Sequence, residues 1–460
     1  MTLCILGLGL AIRIDVLPDD VLLVIFDFYV NSTYSHEEWQ SLVHVCRRWR
    51  TLVFGSPRRL NLQLYCTPKT PAKYTLDVWP ALPLIVEGNM ALLSGTDNII
   101  TALGQSNRVC RVNLYDLGVW QLEQVLAVMQ VPFPELTELR LISNGLTLSA
   151  IPDSFLDGSA PHLRRFSLDG IPFLGLPRLL LSATHLVNLS LTYIPHSGYI
   201  SSEAMVTLLS VLSSLQGLTL EFASPQSRPD WEARRPPPSK RSVIPALISL
   251  YFKGVFEYLE DLVTFIDAPQ LEGMDITFFN QIDFDIPRLA QFINRTPKLR
   301  KRYANVQFDD YCARVVLQPG FHALKISISC REPDWQLSSI EQVCNSSLHP
   351  LSTVEVLYIE HQYRKSGWNS DAIENTLWLQ LLLPFTGVKN LHLSKQFAPG
   401  IADTLQELIG SRVMEVLPGL QNIFVEGLEP SGPFQENIGQ FVAARRLSDH
   451  PIIISDWETK

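Results

Sequence analysis

The sequence predicts an α/β protein in which a small all-helical module over residues 14–62 precedes an irregular β/α solenoid over residues 63–460. Three observations lead there. Two apolar helical segments with clear end signals occupy the start of the chain. A short apolar pattern with strand-like alternation then returns through nearly all of the remainder. Helical stretches fill several of the intervals between its copies.

Residues 1–13 form an apolar leader, Leu3-Cys4-Ile5-Leu6-Gly7-Leu8-Gly9-Leu10-Ala11 at its centre. It has no basic flank and falls far short of the roughly 20 residues that span a bilayer, so a flexible leader or packing strand is expected. The first helix follows Leu17-Pro18. Proline suits a first helical turn, and Asp19 and Asp20 place carboxylates at the positive end of the helix dipole. Val21-Leu22-Leu23-Val24-Ile25-Phe26 is apolar on every side, which predicts burial on every side. Ser35 and Glu38 fit a capping box that opens a second helix. Trp39, Leu42, Val43, Cys46, Trp49 and Val53 then recur at helical spacing as one stripe, with Arg47, Arg48 and Arg50 beside it near the helix C-terminus. A segment of under roughly 50 residues rarely folds unaided, so a partner must cover this apolar surface.

Leu17-Pro18, Ile25-Phe26 and Val45-Cys46-Arg47-Arg48-Trp49-Arg50, in this order and spacing, resemble the F-box. Val21-Leu22 departs from the acidic residue commonly found after the proline. The resemblance implies docking on a Skp-family adaptor and, through it, on the cullin and RING subunits of a ubiquitin ligase. It also implies that Leu17, Pro18, Leu22, Ile25, Phe26, Val45, Cys46 and Trp49 form the adaptor contact or support it. Cys46, inside the second helix, is explained by packing without reactivity.

Beyond residue 62 the pattern apolar-x-x-apolar-x-apolar runs from Val109-Val112-Leu114 to Leu420-Ile423-Val425 at intervals of about 23 to 34 residues, with one gap of about 50 after Leu271 that a degenerate unit near Leu299 would fill. The last two apolar positions alternate with polar ones, as on a strand with one buried face. Helices are expected at Ser202–Leu215, Glu257–Ile266, Pro287–Ile293, Leu337–Val343, Glu374–Leu383 and Ala402–Val416. Stacked strand–helix units share a continuous core that none could build alone. This part resembles leucine-rich repeats. Leu136-x-x-Leu139-x-Leu141-x-x-Asn144-x-Leu146 matches the full pattern, whereas Ile171, Ile194, Ala223 and Val255 replace the asparagine in other units. The turns are therefore expected to vary, giving an irregular leucine-rich-repeat-like β/α solenoid. The Pro-rich, basic stretch Ser224–Ser242 predicts a mobile insertion with no packed element.

Composition narrows the function. Of 460 residues, 46% are hydrophobic and 18% charged, which argues against overall disorder. A net charge of −9 disfavours nucleic acid as a partner. The seven scattered cysteines include no C-x-x-C pair, which fits reduced thiols in the cytoplasm or nucleus. No membrane-spanning run is visible. Gly7-Leu8-Gly9 is not completed to a dinucleotide fingerprint, and no metal-ligand spacing or nucleophile motif occurs. The ten histidines are dispersed, and the acid pairs Asp283/Asp285 and Glu355/Glu360 lack a visible companion base or nucleophile. No cofactor, metal site or catalytic residue is expected. The expected role is positional, a substrate receptor that holds a target near a ubiquitin carrier, or alternatively a protein-interaction scaffold. The outward strand residues provide the target-binding candidates, Arg140, Ser167, Ser190, Thr219, Glu221, Tyr251, Lys253 and Asp275. They are a polar mixture with one aromatic and no stripe of one charge.

Overall fold

The computed structural model describes residues 2–3, 12–32, 39–91, 94–145, 149–225, 241–280, 284–299, 302–317, 323–346, 349–361, 375–408, 410–428 and 433–457. Ser35, Glu38, Leu146, Asp283, Phe321 and residues 226–240 of the expected insertion lie outside them. The chain packs as two compact units, Met1–Phe166 and Ser167–Lys460.

In the first unit, β1 (Thr2–Leu3) and β2 (Ile12–Arg13) pair antiparallel. Helix α1 (Asp19–Ser32) starts directly after Pro18, whose carbonyl accepts a hydrogen bond from the Leu22 N–H at 3.0 Å. The second helix expected from the sequence is in fact two, α2 (Trp39–Val43) and α3 (Arg47–Gly55). Tight bonds from His44 N–H to Ser41 and from Val45 N–H to Leu42 close α2, and the extended backbone of Cys46 restarts the chain as the N-cap of α3. Trp39, Leu42 and Val43 bury from one axis, Trp49 and Val53 from another. The arginines therefore sit in the first turn of α3, not at a helix C-terminus. Two of them satisfy carbonyls elsewhere: Arg50 bonds Val43 O at 3.0 Å, at the end of α2, and Arg48 bonds Leu17 O at 2.6 Å.

The repeats begin earlier than the sequence pattern suggested. β3 (Leu64–Cys66), α4 (Ala72–Val78), β4 (Leu84–Asn89), α5 (Thr96–Leu103), β5 (Val109–Leu117), α6 (Val119–Val128) and β6 (Glu138–Ser143) alternate, and the four strands run parallel. Val86, Val112 and Leu139 share a row of the ladder, as do Gly88, Leu114 and Leu141. The two earliest strands escaped notice because Leu82, Leu84 and Val86 are spaced by single residues. β7 (Arg165–Asp169) crosses the boundary between the units.

The second unit continues with α7 (Leu176–Ser182), β8 (Asn188–Ile194), α8 (Ser202–Val211), β9 (Gly217–Phe222), β10 (Ser242–Val243), β11 (Ser249–Gly254), α9 (Phe256–Phe265), β12 (Ile266–Asp267), β13 (Gly273–Phe279) and α10 (Pro287–Arg295). Next come β14 (Tyr303–Phe308), β15 (Cys312–Leu317), β16 (Leu324–Ser329), α11 (Pro333–Asn345), β17 (Val356–His361), α12 (Asn375–Leu382), β18 (Asn390–Leu393), α13 (Ala398–Gln406), β19 (Asn422–Glu426), α14 (Pro433–Leu447) and β20 (Ile453–Trp457). The Ser201 hydroxyl accepts the Ala204 N–H at 3.2 Å and caps α8. Helix α13 ends at Gln406 rather than Val416, followed by Gly410 in the left-handed region. The far end of the expected insertion is not free of structure: β10 pairs with β12, and Arg241 bonds the Thr264 carbonyl at 3.2 Å.

Strand order in this unit is β8-β9-β11-β13-β16-β15-β14-β17-β18-β19-β20. Every neighbouring pair is parallel except the two that involve β15. A degenerate unit near Leu299 does exist, but it opens a three-strand meander rather than another plain repeat. Asp309 builds the first turn, its Oδ1 accepting the Tyr311 and Cys312 N–H groups at 2.8 Å each. Alternation holds along the strands: Leu189, Leu218, Leu250, Met274 and Leu324 all bury beneath the sheet. Ile171, Ile194 and Val255, which replace the repeat asparagine, are also buried. These units close their turns by burying an aliphatic residue. No helix among the described residues is long and apolar enough to cross a membrane.

Candidate functional site

Helix α1 has two apolar faces with different fates. Leu22 and Phe26, one turn apart, are fully buried, and the Phe26 ring packs 4.7 Å from that of Trp49 on α3. Val21, Val24, Ile25 and Phe28, at spacings of three and four, form a second stripe left open. Val24 is 58% and Phe28 76% exposed. The expectation of burial all round is corrected: the chain covers only half of this helix. The Arg48 guanidinium holds α1 against α3, bonding Asp19 Oδ1 at 2.6 Å and the Leu17 carbonyl at 2.6 Å.

The motif residues divide accordingly. Leu22, Phe26 and Trp49 belong to the module's own core, whereas Pro18, Ile25, Val45 and Cys46 face outward and Leu17 is half-buried. Packing therefore does not account for Cys46, because the break between α2 and α3 turns it outward. The sequence reading named neither Val24 nor Phe28, because a run that is apolar all round does not tell one face from the other.

The module is tied to the first repeat of its own unit. Trp39 donates its indole N–H to the Gln63 carbonyl at 3.0 Å, and its ring lies 5.2 Å from Trp79. Phe54 and His44 pack around the same Trp79.

The outward face of the second unit brings together most of the target-binding candidates. Ser190, Thr219, Tyr251 and Asp275 share one register row, which continues to Lys325 on β16. A groove of about 420 Å³ opens along it, lined by Thr219, Ser249, Tyr251, Gly273, Asp275 and Lys325 among others. Small side chains at Ser249 and Gly273 leave the space. Lys325 pairs with Asp275 at 2.9 Å and Lys253 with Glu221 at 2.6 Å. Glu221 is consequently buried under its partner rather than openly displayed, a correction to the reading of it as an outward residue. Burial, with Glu221, Asp275 and Tyr193 nearby, pushes the Tyr251 phenol up to about 12, so it remains a neutral hydrogen-bonding group. Tyr193, exposed and with positive φ, lies 5.3 Å from the Lys253 ammonium. Ser167 belongs to this unit and is half-buried, whereas Arg140 lies exposed on β6 of the first unit.

Of the acid pairs, Asp285 is exposed, Glu355 pairs with Lys389 at 3.6 Å and Glu360 accepts from Asn305 at 2.9 Å. Among the described residues no group of three or more His, Cys, Asp or Glu side chains is placed to hold a metal ion.

Residues 14–60 match the family model described as F-box-like. Among solved structures, the chain is similar to the leucine-rich repeat-containing protein LegL7 from Legionella pneumophila, at 12% identity over 82% of this chain and 97% of that one, with a TM-score of 0.28. No curated protein matches the chain. The chain thus carries an F-box-like segment ahead of repeating parallel strand–helix units.

Proposed function

We propose that this chain is the non-catalytic substrate receptor of a Skp–cullin–F-box ubiquitin ligase, acting in the cytoplasm or nucleus. The exposed stripe Val21, Val24, Ile25 and Phe28, together with Val45, docks on a Skp-family adaptor. Leu22, Phe26 and Trp49 hold that stripe in shape from beneath. The outward strand face of the second unit, around Thr219, Tyr251, Lys253 and Asp275, holds the target. Catalysis belongs to other subunits, and this chain contributes effective concentration.

One observation carries the reading: an F-box-like segment whose main helix is apolar on both faces leaves one face uncovered. Leaving such a stripe in water is unfavourable by about 25 cal/mol per Å², so a partner that covers it gains affinity. The test is co-purification with a Skp-family adaptor. Val24→Asp with Phe28→Asp is expected to abolish adaptor capture while the chain stays folded. Undiminished capture would show the docking face to be wrong. Partners captured by the repeats are expected to accumulate when the proteasome is blocked, and partners whose levels never change would favour the scaffold reading instead.

A further inference from the structure

The apolar face proposed for docking has a charged border. From Trp39 to Leu76 the chain holds five arginines and two lysines and no aspartate or glutamate. This stretch carries +7, so the remainder of the chain carries −16. It includes α2, α3, β3 and most of α4, all within the first compact unit. Asp19, Asp20 and Asp27 lie on α1, so the two signs are separated between α1 and α3.

Few of these cations are spent inside the chain. Arg48 pairs with Asp19 at 2.6 Å, and Arg50 gives its Nε–H to the Val43 carbonyl at 3.0 Å. Arg47, Arg58, Arg59, Lys69 and Lys73 are exposed, and their side chains have neither a hydrogen bond nor an ion pair among the described residues. Trp49 and Val53 turn one side of α3 to the core, which leaves Arg47 on the outer side. Arg47 follows directly on the exposed Val45 and Cys46. Arg58 and Arg59 lie just past the far end of this nine-residue helix, about 14 Å along its axis. A surplus of one sign at the rim of an interface attracts the opposite sign and acts mainly on the rate of association. A long polyanion such as nucleic acid is the poorer fit, because the −16 on the rest of the chain repels it.

We propose that the outer side of α3, from Arg47 to Arg58 and Arg59, is a docking surface for an acidic protein surface, the one that the adaptor brings alongside the apolar stripe of α1. This rests on the reading that α1 and Val45 dock on a Skp-family adaptor, and it specifies the charge that the adaptor carries there.

Association of the full chain with a Skp-family adaptor is followed by biolayer interferometry at low and at high salt. Arg47→Gln, Arg58→Gln and Arg59→Gln together are expected to lower the association rate about tenfold at low salt, with dissociation nearly unchanged. Arg164→Gln, Arg178→Gln and Arg446→Gln together remove the same charge elsewhere and are expected to leave the rate within about twofold. All six side chains are exposed and without a partner among the described residues, so both variants are expected to melt like the unaltered chain. A labelled octaglutamate peptide reads the basic surface without the adaptor. By fluorescence anisotropy it is expected to bind the full chain and to weaken about tenfold in the first variant alone. An association rate blind to salt and to the first variant would overturn the proposal, as would equal losses in the two variants. A DNA duplex that displaces the peptide at lower concentration would overturn it in favour of nucleic acid. If the peptide behaves as expected while the adaptor is not captured at all, the ligase reading fails and the acidic partner of α3 is another protein.

Discussion

Arg445 is the largest charged side chain in the core. It is fully buried on α14, with its guanidinium donating to the Val416 carbonyl at 3.2 Å and to those of Leu417 and Pro418, where the backbone turns through a positive φ at Leu417. Arg445→Met keeps most of the volume but strips these carbonyls of their donors. A loss of about 3 kcal/mol is expected, read as a lower urea midpoint. Glu260 is a second buried ionisable group with a structural task. It accepts the N–H groups of Arg288 at 3.1 Å and Leu289 at 2.6 Å and so caps α10 from the neighbouring helix. Burial outweighs those bonds and raises its carboxyl from 4.5 to about 7. Between these two values the folded chain holds a proton that the unfolded chain has released. Glu260 therefore makes stability fall as pH rises through that window. Chemical denaturation at pH 5 and pH 7 is expected to show this fall, and Glu260→Gln to flatten it. Neither role was legible in the sequence. An arginine or glutamate on a helix reads as solvated until its neighbours are known.

At the scale of elements, α1 separates folding from function. Phe26→Ala removes a ring packed on Trp49 and is expected to cost about 3–5 kcal/mol. Val24→Asp with Phe28→Asp is expected to cost less than about 1 kcal/mol per site, because both side chains already meet water. Circular dichroism melts distinguish the two outcomes, and adaptor capture should be lost in the second case without unfolding. The helix itself was legible from Pro18, Asp19 and Asp20 and from its apolar run. Which half stays bare was not, because a run that is apolar all round carries no phase. The meander of β14, β15 and β16 is a similar case. Asp309 supports its first turn and pairs with Arg314. Burial alone would raise its carboxyl, but the Tyr311 and Cys312 N–H groups, the Cys312 thiol and Arg314 together hold it below the usual range. Asp309→Ala is expected to cost about 1–3 kcal/mol by stranding those donors, with adaptor capture unchanged.

At the scale of the molecule, the F-box-like module is not a detachable head. Trp39, Phe54 and His44 surround Trp79 of the first repeat, within the first compact unit. Deleting residues 1–62 would uncover that ring, and the truncated chain is expected to melt lower and to aggregate on heating, whereas the Val24/Phe28 double variant is not. Light scattering during a thermal ramp checks this. Point substitution on α1 is therefore a cleaner test of adaptor capture than truncation. The repeats were legible for an equally physical reason: each strand needs one apolar face, and that alternation is written in neighbouring residues such as Leu139, Arg140 and Leu141. The candidate target face followed from it as far as Asp275. The rule applies equally to Tyr358, His392 and Phe424, where the same pattern places an aromatic ring between two buried aliphatics. The sequence by itself determined the opening helix, the recurrence of strands and helices from Val109 onward, the face those recurring strands turn to the core and the F-box-like motif, because all of these depend on spacings within one turn or one strand. Only the tertiary structure decided that β16 lies beside β13 and that half of α1 is left without cover, because strand order and burial depend on contacts between residues far apart in the chain.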